Sequence, residues 1–282
     1  MTKSLAMMLA EQMDPVIFSR NSGITPDPWQ ETVLRSESKR IILNVSRQAG
    51  KSQTAATKAV HRALFHAPSL ILLISRAQRQ SGELFRKCLD VFEGCDRPVE
   101  AERESVLQIE LANGSRIISL PGKEETLRSY SAVDLLIIDE ASRVLDDLYR
   151  SVRPMLAVSN GTIMVMSTPH GKRGFFWDIW DNQTRAVDAG RRPVWEMYKV
   201  SAKECPRITE EFLEDERNEI GDWYYRQEYE NAFLDSEDSL FRQEDIEATY
   251  SDDVEEWGGL KYGEEFVDPQ GDDDPVQWDL SA

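Results

Sequence analysis

Three short stretches carry residue types whose spacing suits the transfer of a phosphoryl group. The first is NVSRQAGKSQ, residues 44–53. Its Gly50-Lys51-Ser52 ending matches the close of the phosphate-binding pattern G-x-x-x-x-G-K-[ST]. In such a loop successive backbone N–H groups and the start of the next helix form a concave anion site. Ser46, Arg47, Gln48, Ala49, Gly50 and Gln53 would line that cradle. Lys51 would reach the β- and γ-phosphates, and the Ser52 hydroxyl would coordinate Mg2+. Val45 stands where the first glycine of the pattern belongs, and Arg47 interrupts the loop.

The second stretch is LLIIDEA, about 90 residues downstream. Four apolar residues followed by two carboxylates read as a strand that delivers acids at its end. Asp139 would hold Mg2+ through water beside Ser52. Glu140 would polarise an attacking water, which is general-base work. Capping of the next helix is the plain structural use of both acids. The third stretch, MSTP (166–169), offers Ser167 and Thr168 as sensors of the γ-phosphate, or simply as a turn before Pro169. Phosphoryl transfer accumulates negative charge that a planar guanidinium can pair at two points. Arg47 could act in cis, and Arg128, in ETLRSYSAVD, from a neighbouring subunit or else as a surface ion pair. Gln30, in PDPWQ, carries an amide that can pair with N6 and N7 of adenine. No N-K-x-D motif specifies guanine, so the expected nucleotide is ATP.

These residues need a scaffold that gathers strand ends at one edge. Apolar, β-branched runs at RIILNVS (40–46), SLILLIS (69–75), VDLLIIDE (133–140), GTIMVMSTP (161–169) and VWEMYKVS (194–201) read as buried strands. Helical periods lie between them, over 51–67, 80–94 and 146–159. Asn113-Gly114 divides 105–122 into a hairpin. Two amphipathic helices are expected at TEEFLEDERNEI and DWYYRQEYENAF, and a short one at the N-terminal SLAMMLAEQM. The fold class is therefore α/β, a mostly parallel sheet with crossover helices.

The net charge of −18 argues weakly against nucleic acid, because its distribution is uneven. Residues 236–282 hold 16 acidic and 2 basic residues, whereas residues 1–235 come within a few charges of balance. A local basic surface remains compatible with that body. Arg76, Arg79, Arg116 and Lys123 are candidates for such a surface should DNA be a partner, or else plain solvated charges. Three scattered cysteines predict neither a disulfide framework nor a zinc site. No apolar run reaches the length of a membrane span.

With these residues assembled, the chain resembles the ATPase half of phage and prophage terminase large subunits, the motors that package viral DNA. The resemblance rests on PDPWQETVLRS, NVSRQAGKS, RQSGELFRK, ELANGSRIISLPG, EETLRSYSAVDLLIIDEASRV, VRPMLAV, STPHGKRGFFWDIW and CPRITEEFLEDER with WYYRQEYENAF, covering most of residues 15–235. It implies an ASCE-type P-loop fold with a small C-terminal helical lid. A 1–25 helical segment, a 26–200 ATPase core, a 201–235 lid and a 236–282 flexible acidic tail are the expected parts. It implies ATP and Mg2+ bound by Lys51, Ser52 and Asp139, with Glu140 catalytic, Arg47 the loop arginine and Arg128 a trans-acting finger. Ser167 and Thr168 become a coupling motif and Gln30 the adenine reader. Implied partners are double-stranded DNA, a portal protein and a small terminase subunit, met as a homo-oligomeric ring in the cytoplasm of an infected bacterium, outside the finished virion.

One departure stands out. The family usually continues into an RNase H-like nuclease, for which the 47 residues after Asp235 are too few. No DNA cleavage is expected from this polypeptide, and a separately encoded nuclease becomes a candidate partner. Two other readings stay open: a helicase-like DNA remodeller, and a non-hydrolysing ATP-dependent assembly module. The acidic tail is read as a linker or as a docking peptide.

Overall fold

In a strand successive side chains face opposite sides, and the apolar runs obey that rule. In the computed structural model, which describes residues 4–121 and 130–235, Ile41, Leu43 and Val45 enter one core cluster and Ile42 the other. Ile71 and Leu73 part from Leu72 and Ile74 in the same way, as do Leu135 and Ile137 from Leu136 and Ile138. Both faces are apolar, so helices must cover both.

The strands are β1 Arg40–Val45, β2 Leu70–Ser75, β3 Ala101–Glu104, β4 Gln108–Leu111, β5 Arg116–Pro121, β6 Leu135–Asp139, β7 Thr162–Ser167 and β8 Glu196–Val200. They form a sheet of order β3-β4-β5-β2-β6-β7-β1-β8. From β5 to β8 the pairing is parallel, and β3-β4-β5 is antiparallel. The helices are α1 Leu5–Met13, α2 Pro15–Asn21, α3 Pro28–Arg35, α4 Lys51–Phe65, α5 Gln78–Gly94, α6 Asp146–Val152, α7 Gly174–Asp188, α8 Glu210–Ile220 and α9 Asp222–Glu228. Helices α4 and α5 cover the first face. Ala55, Ala56, Ala59 and Ala63 bring α4 close to the strands. Helices α6 and α7 cover the second with Leu148, Tyr149, Val152, Phe175 and Phe176.

The described residues lie in the first of two units, Met1–Glu237 and Asp238–Ala282. The N-terminal helices do not stand apart from the core, because Phe18 of α2 belongs to the same cluster as β1 and α4. Helices α8 and α9 carry a small cluster of their own, Ala202, Leu213 and Tyr225. The readings of the acidic tail, Lys123 and Arg128 fall outside the described residues.

Several expected boundaries shift, each for a local reason. The helix expected over 146–159 ends at Val152 and continues as a 3-10 turn, Arg153–Leu156. Pro154 has no N–H to extend the helical ladder. The helix expected through Phe233 ends at Glu228, and Asn231 takes a left-handed φ of 56°. The hairpin at Asn113-Gly114 forms as expected, with Gly114 at φ 83°. Its extra partner β3 was illegible, since AERE has no inward apolar alternation.

Candidate active site

The loop that carries Gly50, Lys51 and Ser52 joins β1 to α4 at the C-terminal edge of the sheet. Val45 is the last residue of β1 and fully buried, so its position asks for packing rather than for glycine. The turn instead falls at Gln48, with φ 57°, and at Gly50, with φ 100°. A Cβ at Gly50 would also come 2.5 Å from Gln30 Nε2. Glycine is needed there on both counts. Ser46 N–H donates to Val200 O at 2.9 Å, tying the loop to the edge strand β8. Ser46 and Ala49 are fully buried, and Ser52 and Gln53 sit half-buried in the first turn of α4.

Strand β6 ends on Asp139, and Glu140 follows with a left-handed φ of 51° that turns its side chain toward the loop. Lys51 Nζ lies 3.7 Å from Glu140 Oε1. Asp139 is only 6% exposed and accepts the Glu140 N–H at 2.9 Å. Burial and the neighbouring Glu140 charge push its pKa up to about 6, against a lowering by Lys51. A carboxylate so placed favours a cation beside it, and with the Ser52 hydroxyl it offers the oxygen donors that a hard divalent ion prefers. The residues therefore fit Mg2+.

Strand β7 lies between β1 and β6. It carries Ser167, whose Oγ is 2.8 Å from Ser142 Oγ, two residues after Glu140. Ser167 and Thr168 are both buried. The second and third sequence stretches thus meet through Ser142, which nothing in its local pattern marked.

The loop arginine is held elsewhere. Arg47 Nε pairs with Glu228 Oε2 of α9 at 2.7 Å, and the Arg47 N–H donates to Glu228 O at 3.3 Å. Arg143 Nη2 reaches the other Glu228 oxygen at 3.6 Å. Glu228 is 9% exposed, so one buried carboxylate is shared by two arginines from the loop and from the turn after Glu140. Just beyond it, Asn231 Nδ2 donates to Asn44 O and Val200 O, and Asn44 Nδ2 returns a bond to Asn231 O. The pairings of Arg47 with Glu228 and of Asn44 with Asn231 span more than 180 residues of sequence and have no local signature.

Gln30 lies against Gly50, and both ends of its amide are spent within the protein. Its Oε1 accepts Asp27 N–H at 2.7 Å in the capping box of α3, and its Nε2 donates to Gly50 O at 3.2 Å. Arg207 joins the same cluster, forked onto Asp27 at 2.7 and 2.8 Å and touching Ala49 O at 3.3 Å. The expected DNA contacts do not share one edge. Arg76 and Arg79 follow the end of β2, whereas Arg116 starts the parallel strand β5 opposite Leu70, at the other end of the sheet.

The family described as "Terminase large subunit, T4likevirus-type, N-terminal" matches residues 42–248. The terminase large subunit of Thermus phage G20c is 22% identical over 247 residues, covering 78% of this chain and 51% of its own length. That of Escherichia phage T5 is 28% identical over 232 residues, covering 78% and 50%. The chain spans about half the length of these curated relatives. Among solved structures, the Thermus phage P74-26 large terminase ATPase domain superposes with a TM-score of 0.68 at 22% identity, covering 77% of this chain and 97% of that one. The large terminase of a thermophilic bacteriophage, solved in complex with ADP, superposes at 0.59 with 10% identity, covering 74% and 54%. At these identities the superpositions speak for the fold, and the family match extends over most of the chain: it belongs to the terminase large subunit family, in that family's N-terminal part.

Proposed function

We propose that the chain hydrolyses ATP at the loop between β1 and α4 and uses the cycle to drive double-stranded viral DNA toward a procapsid. The observation that carries this reading is the 3.7 Å approach of Lys51 Nζ to Glu140 Oε1, beside the buried Asp139. In this proposal Lys51 and the N–H groups of Gln48 to Gln53 receive the phosphates. Ser52 and Asp139 would hold Mg2+, which when bound would supply charge neutralisation on the phosphate oxygens. Glu140 accepts the proton of the attacking water, a role its release from Lys51 by an arriving phosphate would favour. Arg47 stabilises charge on the γ-phosphate after leaving Glu228, and Arg128 does so from a neighbouring subunit. Ser167 and Thr168 pass the loss of phosphate to β7, and the Ser142 bond gives them a path to Glu140. Gln30 is placed at the adenine end and would exchange its two present bonds to read the base.

Residues 26–200 are proposed as the motor core and 201–235 as a lid, with Glu228 and Asn231 as its attachments to the loop. A homo-oligomeric ring, a portal protein and a small terminase subunit are the proposed partners, in the cytoplasm of the infected host. DNA cleavage is not part of this proposal.

The test is ATP turnover with and without duplex DNA and portal protein, together with displacement of a triplex-forming strand. Duplex-stimulated turnover with triplex displacement supports a translocating motor. Unwinding of a forked duplex points instead to a helicase, and absent turnover to a non-hydrolysing module.

A further inference from the structure

A cavity of about 610 Å³ lies away from the phosphate loop. It opens at the opposite edge of the sheet, where β6 and β7 begin with Leu135 and Thr162. Helix α4 starts at the loop and runs 15 residues, roughly 22 Å, toward it. The far half of α4 and its C-cap turn Lys58, His61, Arg62 and His66 into this space, the spacing of one helical face.

The cavity's charges divide into those already used and those that are not. Asp14 is spent on Arg35 at 2.7 Å and on the Val16 N–H. Asp134 Oδ2 accepts the Leu70 N–H at 2.8 Å. Lys58 Nζ donates to the carbonyls of Val33, Leu34 and Ser36. His61 Nε2 lies 2.9 Å from Glu11 O. Glu37, the remaining acid, is exposed. Arg62 is different: its Nε is buried and has no hydrogen-bond partner among the described residues. An unpaired donor on a permanent cation is costly to bury, and the guanidinium fork fits two oxygens of one anion. Lys39 and the Thr162 hydroxyl line the same space.

We propose that this cavity is a second anion site that binds a small phosphate-bearing ligand, with Arg62 as its main partner and Lys39, His66 and Thr162 around it. It is separate from the nucleotide loop and does not depend on that loop's reading. The same chemistry could come from free phosphate or from DNA backbone; the half-buried Arg62 and the exposed Glu37 at the rim favour the small anion over a polyanion.

Inorganic phosphate is the probe, measured by equilibrium dialysis and thermal shift on the whole chain carrying Lys51→Ala to silence the loop. The Lys51→Ala chain should still bind about one equivalent. Adding Arg62→Gln should weaken that binding by about tenfold or more, the scale of a lost charge-assisted pair. Without phosphate the same change should leave the melting temperature unchanged or higher, because it removes a buried donor that has no partner among the described residues. Arg62→Lys should keep part of the affinity. No phosphate binding by the Lys51→Ala chain, or equal binding by Arg62→Gln, would overturn the site. So would a lower melting temperature of Arg62→Gln in phosphate-free buffer, the mark of a structural arginine. A short duplex that loses affinity on Arg62→Gln, with no binding of free phosphate, would overturn the small anion in favour of DNA.

Discussion

Gly50 sets the tolerance of the loop at the scale of one residue. Its φ of 100° and the 2.5 Å approach of Gln30 Nε2 leave no room for a side chain. Gly50→Ala should cost about 1–3 kcal/mol of stability, read by urea unfolding, and should weaken nucleotide binding further by displacing the Gln30 amide. Glu228 holds Arg47 at 2.7 Å. Glu228 is buried between Arg47 and Arg143, so Glu228→Gln should lower the melting point modestly, with one amide oxygen still able to accept from Arg47. Its effect should appear in turnover and nucleotide affinity, and equal kinetics in wild type and variant would remove Glu228 from the account. The sequence pattern made Lys51, Ser52, Asp139 and Glu140 legible because each sits in a short local motif. Glu228, Arg207 and Asn231 were not, since their partners in β1 and the loop lie more than 150 residues away and only the fold joins them.

Among elements, α3 and α4 show how the core side of the site is held. The last carbonyls of α3 lack partners within the helix, and Lys58 of α4 supplies bonds to two of them and to Ser36 just beyond. Burial nevertheless pushes the Lys58 pKa down to about 8. Lys58→Met should cost about 1–3 kcal/mol, read by urea unfolding, because the carbonyls are left without their donor. His61 packs against Phe18 and Phe65, and burial lowers its pKa to about 4, with Lys58 and His66 pressing the same way and the Glu11 carbonyl and Asp14 opposing. A histidine with a lowered folded pKa is protonated first in the unfolded chain. Stability should therefore fall as pH drops from about 6.5 toward 4, by roughly 2–3 kcal/mol. In urea titrations across that range His61→Gln should flatten the slope; an unchanged slope would place the acid sensitivity elsewhere. The parallel strands were readable because both faces of the sheet are buried and the runs are continuously apolar. Strand β3 and the ends of α6 and α9 were not, because polarity, Pro154 and the tertiary pull on Asn231 decide them.

For the whole molecule, the fold places the loop, the acid pair and Ser167 on three neighbouring strands at one sheet edge, and the Arg62 cavity at the other. A ring in which Arg128 serves a neighbour makes a specific prediction. Glu140→Ala and Arg128→Ala should each abolish turnover, and mixing them should restore part of it. Failure of the mixture to recover, with both variants folded and associated, would confine Arg128 to its own subunit or to a structural role. On this account translocation needs a portal and DNA, whereas ATP chemistry needs only the site and a neighbour's Arg128. The most direct measurement is therefore single-turnover hydrolysis by the chain beside its Glu140→Gln variant, with ATP affinity determined for both. The account predicts that the variant binds ATP about as well as the wild type and hydrolyses it about 100-fold or more slowly. Hydrolysis by Glu140→Gln at the wild-type rate would contradict it.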